Sequence, residues 1–445
     1  MSFGKCYRVG GFVRDTLLGL EPHDIDYVVI DSSPEIMLAH GFVQNGEAFP
    51  VFLHPVTKDE YALGRSEFST GDGYNDFKYK WEGVTLPQDL HRRDLTINAM
   101  AMLDNGEVID PYGGRDDLAA GVLRHVSEAF REDPLRILRI ARFAARYDYT
   151  VAPETHALMV EMTANGMLDA LTAERVWQET EKALLCPKPS RFFEVLDDCG
   201  ALAVVFPELH AMKGVPQVPR YHAEGDVWIH NRMVMDEAAE LAKGHDKKSR
   251  LRIILGAVLH DLGKTLTPHH LLWNEDGSIK GAHHGHESPE VFEKLLKPLA
   301  ARLKLPSDLY DFAHACAEVH QNVHRVTDMG ASGLVKLYQR LGLDRQLRHD
   351  PVFLEDLVVM CKADNQGRLQ LNADGTVFKP SVYSQGDYFI GAMRAIAEVK
   401  PGPIMQESMG RGMDLVSAKS RVSGARKKAS QAFMKSVKGE ASLEP

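Results

Sequence analysis

The apolar positions of the first thirty residues fall in short β-branched and aromatic runs. "KCYRV" (residues 5–9) and "YVVI" (27–30) read as strands, Gly10-Gly11 as a tight turn, and "FVRDTLLG" (12–19) as a short helix ended by Gly19. Further on, "DEYALGRSEFSTGDGYNDF" (59–77) passes from a strand into a polar, glycine-rich loop expected to be mobile after Arg65, and "NGEVIDPYGG" (105–114) reads as a hairpin and loop. The period then changes to 3.6. In "FREDPLRILRIARFAARY" (130–147), Ile137, Leu138, Ile140 and Ala141 fill one side of a helix, while Arg136, Arg139, Arg142 and Arg146 form a stripe on the other. Glu132, Asp133 and Pro134 supply its start signal. Amphipathic helical patterns run from 147 to about 215, with Trp177, Phe192 and Phe193 assigned to the core, and a histidine-rich helical region follows from about 216. The segment 371–445 is small-residue-rich, basic towards its end and partly helical in pattern; it would be disordered, cap the preceding domain, or help hold RNA electrostatically. The chain is therefore expected to be α+β, a small sheet domain followed by helical domains.

Length and composition bound this picture. A chain of 445 residues with 44% hydrophobic content suits about three domains of roughly 150 residues. No apolar run of signal-peptide or bilayer-spanning length is present. Cys6, Cys186, Cys199, Cys316 and Cys361 are scattered without a C-x-x-C pair, so a reducing cytoplasm is expected. A net charge of −10 excludes a protein that coats nucleic acid through its overall field, so any RNA contact must use a local basic surface. The arginine stripe is such a surface, and arginines without lysine suit bidentate contacts to phosphates or bases.

The chemistry begins at "HDIDYVVI" (23–30). Residues i and i+2 of a strand share a face, so Asp24 and Asp26 would project together, and with no basic neighbour in sequence the economical counter-ion is a divalent metal. Gly10-Gly11, a helix start and Arg14 beside them point to a phosphate chain carrying that metal. Arg93 is a candidate triphosphate ligand, and Glu60 a candidate third carboxylate.

A second constellation lies downstream. His230 in "VWIHNRMV", His260-Asp261 in "AVLHDLGKT" and Asp364 in "CKADNQGR" form an H…HD…D pattern that resembles the HD phosphohydrolases. Imidazole nitrogens and carboxylate oxygens could hold one metal with an open position for water or phosphate. His283, His284, His286, His320 and His324 are additional histidines of this region.

Taken in order and spacing, "GGFVRD", "DIDYVV", "RRDLTINAMA", "EDPLRILRIARFAAR", "AERVWQE" and "HDLGK" resemble the class II tRNA nucleotidyltransferases, the CCA-adding enzymes of the polymerase-β-like superfamily, and specifically their bacterial members with an HD domain, over about residues 5 to 370. The resemblance implies a nucleotidyltransferase head (1–140), a helical neck and body (141–215), an HD domain (216–370) and a basic C-terminal tail (371–445). It implies Mg2+ at catalytic Asp24 and Asp26, nucleotide contacts from Gly11, Arg14, Arg93, Asp133, Arg136, Arg139 and Arg142, and a base-reading role for Asp133 and Arg136, an acceptor and a donor that match the Watson–Crick edge of cytosine or adenine and would leave buried groups unpaired against uracil or guanine. At the HD site it implies His230, His260, Asp261 and Asp364 around a transition metal such as Ni2+, Co2+ or Mn2+, with positions matching His286 and His320 serving a second metal or the phosphate.

The activity so implied is template-free addition or repair of the tRNA 3′-terminal CCA from CTP and ATP. The HD domain would act as a 2′,3′-cyclic phosphodiesterase, 2′-nucleotidase and phosphatase. The expected partner is tRNA, with no membrane, in a cytoplasmic monomer or homodimer. Alternatives are a poly(A) polymerase of the same superfamily, an HD hydrolase with a degenerate head, and a noncatalytic RNA-binding regulator. The retained "HDLGK" and the intact head carboxylates weigh against them.

Overall fold

A computed structural model describes residues 3–22, 25–45, 51–69 and 77–441. The chain divides into two compact units, one of Met1–Ala183 with Arg191–Phe206, the other of Leu184–Ser190 with Pro207–Pro445.

The first unit opens on a mixed sheet. Its strands are β1 (Lys5–Val9), β2 (Asp26–Ile30), β3 (Val43–Gln44), β4 (Val51–Leu53) and β5 (Glu60–Leu63), followed by a separate ribbon of β6 (Ser66–Ser69) and β7 (Phe77–Lys80), then β8 (Ala101–Met102) and β9 (Val108–Ile109). The sheet order is β3-β4-β5-β2-β1-β8-β9. Strands β2 and β5 are parallel, and the other neighbours are antiparallel. Both faces of β2 are covered, as the alternation along a strand requires. Val28 and Ile30 pack with Val9, Leu86 and Leu90. Val29 packs on the opposite side with Met37, Phe42, Phe52 and Leu63. Residues 70–76 of the segment after Arg65, expected as a mobile loop, lie outside the described residues, and on either side of them β6 pairs with β7 from Ser66↔Lys80 to Ser69↔Phe77. Backbone hydrogen bonding there overrides a polar sequence with weak strand signal.

Helices complete this unit. Leu135–Tyr147 buries Ile137, Leu138, Ile140, Ala141, Phe143 and Ala144, leaving its arginine stripe on the other side. The helix runs without interruption through position 140, so the head-to-neck boundary expected there is not a structural break. Trp177, Phe192 and Phe193 are buried, and Phe192, Phe193 and Phe206 meet edge to face.

The second unit is helical. Val227–Leu241, Lys247–Leu259, Ser307–His324 and Phe353–Gln366 pack around Ile253, Ile254, Phe312, Cys316, Leu357 and Met360. Gly256 lets two of these helices approach closely, since a Cβ there would lie 2.8 Å from Cys316 Sγ. The C-terminal segment is ordered as three helices, Gln385–Ala397, Pro401–Gly410 and Leu415–Ala441, of which the first and last pack on Ala331–Arg340. Arg426, 3% exposed, sits over the Tyr338 ring at 4.8 Å and pairs with Asp344. The described part of this tail is therefore not disordered and forms a helical layer on the preceding helices.

Candidate nucleotide cavity and candidate metal centre

In the first unit, a cavity of about 530 Å³ is lined by Gly10, Gly11, Arg14, Asp26, Arg93, Asp133, Arg136, Arg139 and Arg142 together with Arg92, Asp94, Asn98, Leu135, Phe143, Arg146 and Arg175. Its floor is the turn after β1. Gly10 has φ +65, a conformation costly for other residues, and a Cβ there would meet Arg93 Nη1 at 3.2 Å. Arg14 is buried at 4% exposure and donates to Asp15 (2.8 Å) and to Asn98 Oδ1 (2.5 Å), while its guanidinium lies 5.2 Å from the Phe143 ring.

The arginine stripe is held by carboxylates that sequence reading did not pair with it. Arg139 binds Asp94 at 2.7 Å, and Arg142 binds Glu179 at 2.5 Å. Burial alone would push the Asp94 carboxyl up, but Arg139 and the Asn98 amide hold it well below the usual carboxylate range. Asp89, buried between Arg92 and Arg93, is lowered for the same reason. The Asp133 and Arg136 side chains are held by other groups as well. Asp133 accepts from Arg175 (2.8 Å) and from the Leu135 amide (3.1 Å), whereas Arg136 donates to the carbonyls of Ala129 (2.6 Å) and Arg92 (2.8 Å). Arg175 stands in "AERVWQE", and the sequence reading assigns it no role. Nothing local distinguishes it, because its partner is 42 residues away.

Asp26 opens β2 and is exposed; Asp24 lies outside the described residues. Register places Asp26 opposite Val9 on β1 and beside Glu60 on β5. On the other face of the same strands, Tyr27 and Tyr61 stack at 4.3 Å, so Asp26 and Glu60 share the face opposite that stack. Two hard oxygen donors side by side fit a cation such as Mg2+.

The second unit brings the remaining expected residues together. His230 Nε2 lies 3.1 Å from Asp364 Oδ1 and 3.8 Å from Asp261 Oδ2; His260 Nε2 lies 3.3 Å from Asp261 Oδ2 and 3.8 Å from Asp364 Oδ1. His286 and His320 join them, each with Nε2 at 3.7 Å from Asp261 Oδ1. Ligand atoms converge in two adjoining buried groups, His230–His260–Asp364 and Asp261–His286–His320. Within this centre His260 Nε2 and Asp261 Oδ1 are buried with no hydrogen-bond partner, a donor set whose chemistry fits a metal ion. Burial drives the His320 imidazole well below its ordinary value, towards the neutral form that ligates metals. Burial opposes ionisation of Asp364, but His324 and His230 keep its pKa well below the usual range.

Three supporting residues were not legible beforehand. Glu224 Oε1 accepts His230 Nδ1 at 2.9 Å and turns Nε2 inward. Lys264 reaches Asp261 Oδ2 at 2.7 Å. Tyr383, from the C-terminal segment, donates to His324 Nδ1 at 3.0 Å, and His324 Nε2 meets Asp364 Oδ2 at 2.6 Å. Gly263 of "HDLGK" is demanded by the fold, since a Cβ there would fall 1.9 Å from the His286 carbonyl oxygen.

Comparison with known proteins accords with this arrangement. A family model described as the poly A polymerase head domain matches residues 6–124, a probable RNA- and SrmB-binding site of polymerase A matches 148–213, and an HD domain matches 227–359. The multifunctional CCA protein of Dechloromonas aromatica is 48% identical over 402 residues, covering 90% of this chain and 91% of its own. The chain belongs to the multifunctional CCA protein family. The family member of Burkholderia cenocepacia is 46% identical over 430 residues, 95% of this chain and 97% of its own. The fold of this family member is also that of solved CCA-adding enzymes: an ATP complex (TM-score 0.58, 19% identity, 99% of this chain, 90% of the other) and a tRNA complex from Thermotoga maritima (TM-score 0.56, 19% identity, 99% and 91%). Among the described residues, no helix of this family member is long and apolar enough to cross a membrane.

Proposed function

We propose that the first unit is a CCA tRNA nucleotidyltransferase that adds or repairs the 3′-terminal CCA of tRNA from CTP and ATP. The observation that carries this is one cavity gathering Gly11, Arg14, Asp26, Arg93, Asp133, Arg136, Arg139 and Arg142. Mg2+ held by Asp24 and Asp26, with Glu60 beside Asp26, would lower the pKa of the tRNA 3′-hydroxyl and neutralise charge on the triphosphate. The 3′-oxygen forms a bond to the α-phosphorus as the bond to the β-phosphate oxygen breaks, and pyrophosphate leaves against Arg14, Arg93, Arg139 and Arg142. Asp133 accepts from the exocyclic amine of cytosine or adenine, and Arg136 donates to the ring acceptors. Arg175 keeps the Asp133 carboxylate oriented. Incubation with tRNA lacking its CCA, offering each nucleotide separately and sequencing the product, tests this reading. Incorporation of C, C and A only is expected, and a poly(A) tail or no addition would overturn it.

The second unit is proposed as a metal-dependent phosphohydrolase acting on RNA-terminal phosphate esters, including 2′,3′-cyclic phosphates. His230, His260 and Asp364 would hold one transition metal such as Ni2+, Co2+ or Mn2+, and Asp261, His286 and His320 a second, supplying a nucleophilic water and charge neutralisation. The carrying observation is the orphaned pair of ligand atoms on His260 and Asp261. His260→Ala with Asp261→Ala should abolish hydrolysis of 2′,3′-cyclic AMP and leave CCA addition intact. Absence of hydrolysis by the unaltered protein with each of these metals would overturn the assignment.

A further inference from the structure

A guanidinium held by one hydrogen bond can still swing its plane about that contact, and a second anchor is needed to aim its remaining edge. Arg14, in the first unit, has two. Its Nε donates to Asp15 Oδ1 at 2.8 Å and its Nη1 to Asn98 Oδ1 at 2.5 Å, while the Phe143 and Tyr147 rings lie 5.2 and 5.3 Å from its guanidinium carbon. Nη2 is left beside the turn after β1, where a Cβ on Gly11 would lie 3.4 Å from it. A Cβ on Gly10 would meet Arg93 Nη1 at 3.2 Å, so two guanidinium ends flank this turn.

Asn98 stands in "RRDLTINAMA", and sequence alone assigns it no role. It lines the nucleotide cavity at 6% exposure, on a 3-10 turn, Thr96–Asn98, that is itself pinned. The Thr96 amide donates to the Arg124 carbonyl at 2.9 Å, and Thr96 Oγ1 donates to Asp117 Oδ2 at 2.7 Å. A Cβ on Gly114 would fall 2.3 Å from the Thr96 carbonyl oxygen, so the backbone packs closely there. The other end of the Asn98 amide is also committed. Its Nδ2 donates to Asp94 Oδ1 at 3.0 Å, and Asp94 Oδ2 accepts from Arg139 Nε at 2.8 Å. A flipped amide would set oxygen against the Asp94 carboxylate and NH2 against the guanidinium, so only one orientation satisfies both neighbours.

We propose that Asn98 is a positioning residue for nucleotide binding. It fixes the plane of the Arg14 guanidinium so that Nη2 meets the triphosphate at the Gly10-Gly11 turn, and Asp94 decides which end of the amide faces Arg14. That the ligand is a nucleotide rests on the nucleotidyltransferase reading of the first unit; that Asn98 holds Arg14 does not.

The test is calorimetric titration of the full-length protein, in Mg2+ and without tRNA, with ATP and with inorganic tripolyphosphate. Asn98→Ala should weaken both ligands at least tenfold, since misplacing a positioning group by about 1 Å costs up to a hundredfold. Because Asn98 acts through Arg14, Arg14→Ala/Asn98→Ala should bind both ligands within twofold of Arg14→Ala alone, whereas independent effects would multiply. Selection of C and A over U and G in primer extension should be unchanged in Asn98→Ala, a result that general loosening of the fold would not give. Thermal midpoint is the folding control. Asn98→Ser, whose hydroxyl is too short to span Arg14 and Asp94, carries the same expectation and replaces Asn98→Ala if that variant does not fold. Any ligand held by the second unit is a constant background. Unchanged tripolyphosphate binding in the Asn98 variants, or losses that multiply in the double variant, overturns the inference and leaves the nucleotidyltransferase reading standing. No binding of ATP or tripolyphosphate by the unaltered protein removes that reading and the inference with it.

Discussion

Glu224 is expected to control metal affinity in the second unit without touching the metal. Its carboxylate is almost fully buried and accepts three N–H groups: His222 Nδ1 at 3.0 Å and His230 Nδ1 at 2.9 Å on Oε1, and the Leu369 amide at 2.9 Å on Oε2. Burial would favour the neutral acid, but the hydrogen bonds from His222 and His230 prevail and lower its pKa, so the group is anionic at neutral pH. Glu224→Gln replaces one acceptor oxygen by an amide donor. Whichever way that amide sits, a donor faces either the imidazoles or the Leu369 N–H, and a buried donor left without a partner costs about 1–3 kcal/mol. Losing the group that orients a metal-bound imidazole typically lowers metal affinity about 10–100-fold, or about 1.4–2.7 kcal/mol. Manganese titration of metal-free full-length protein should therefore show weakening in this range for Glu224→Gln and Glu224→Ala. Less thermal stabilisation by added metal than in the unaltered protein should accompany it. A variant that binds manganese within twofold of the unaltered protein would refute the orienting role, even if its thermal midpoint fell.

Asp26→Ala should eliminate nucleotide addition while tRNA binding, followed by gel shift, survives; near-normal incorporation would remove the metal assignment at β2. Asp133→Ala should admit UTP or GTP with a loss of about 1–3 kcal/mol per base contact, and a uniformly slower but equally selective enzyme would show that another group reads the base. Gly263→Ala, whose Cβ collides with the His286 carbonyl, should cost about 1–3 kcal/mol in unfolding free energy and weaken metal binding in the second unit. Asp94 has a lowered folded-state pKa, so its pairing with Arg139 contributes stability above the unfolded carboxyl value near pH 4, and that contribution is lost as the pH falls below it. Thermal midpoints against pH should accordingly show a shallower acid limb in Asp94→Asn, and an unchanged limb would contradict the ion-pair argument.

What the sequence by itself determined is local. The β-branched runs at 5–9 and 27–30 become strands because their alternate side chains are buried on both faces of one sheet. The helix Leu135–Tyr147 forms where a 3.6-residue apolar stripe meets a proline start, and its arginines face the cavity for the same periodic reason. The motif order also carried the family resemblance, because such motifs are short and contiguous. Tertiary structure alone decided which charge meets which. Arg139 finds Asp94 at a separation of 45 residues, Asp133 finds Arg175 at 42, and Tyr383 reaches His324 across 59. Periodicity says which side of an element a residue occupies and nothing about what the chain lays against that side. The same limit hid the strand pair after Arg65 and the helical packing of the C-terminal segment. In each, long-range contacts formed on folding outweigh weak local preference.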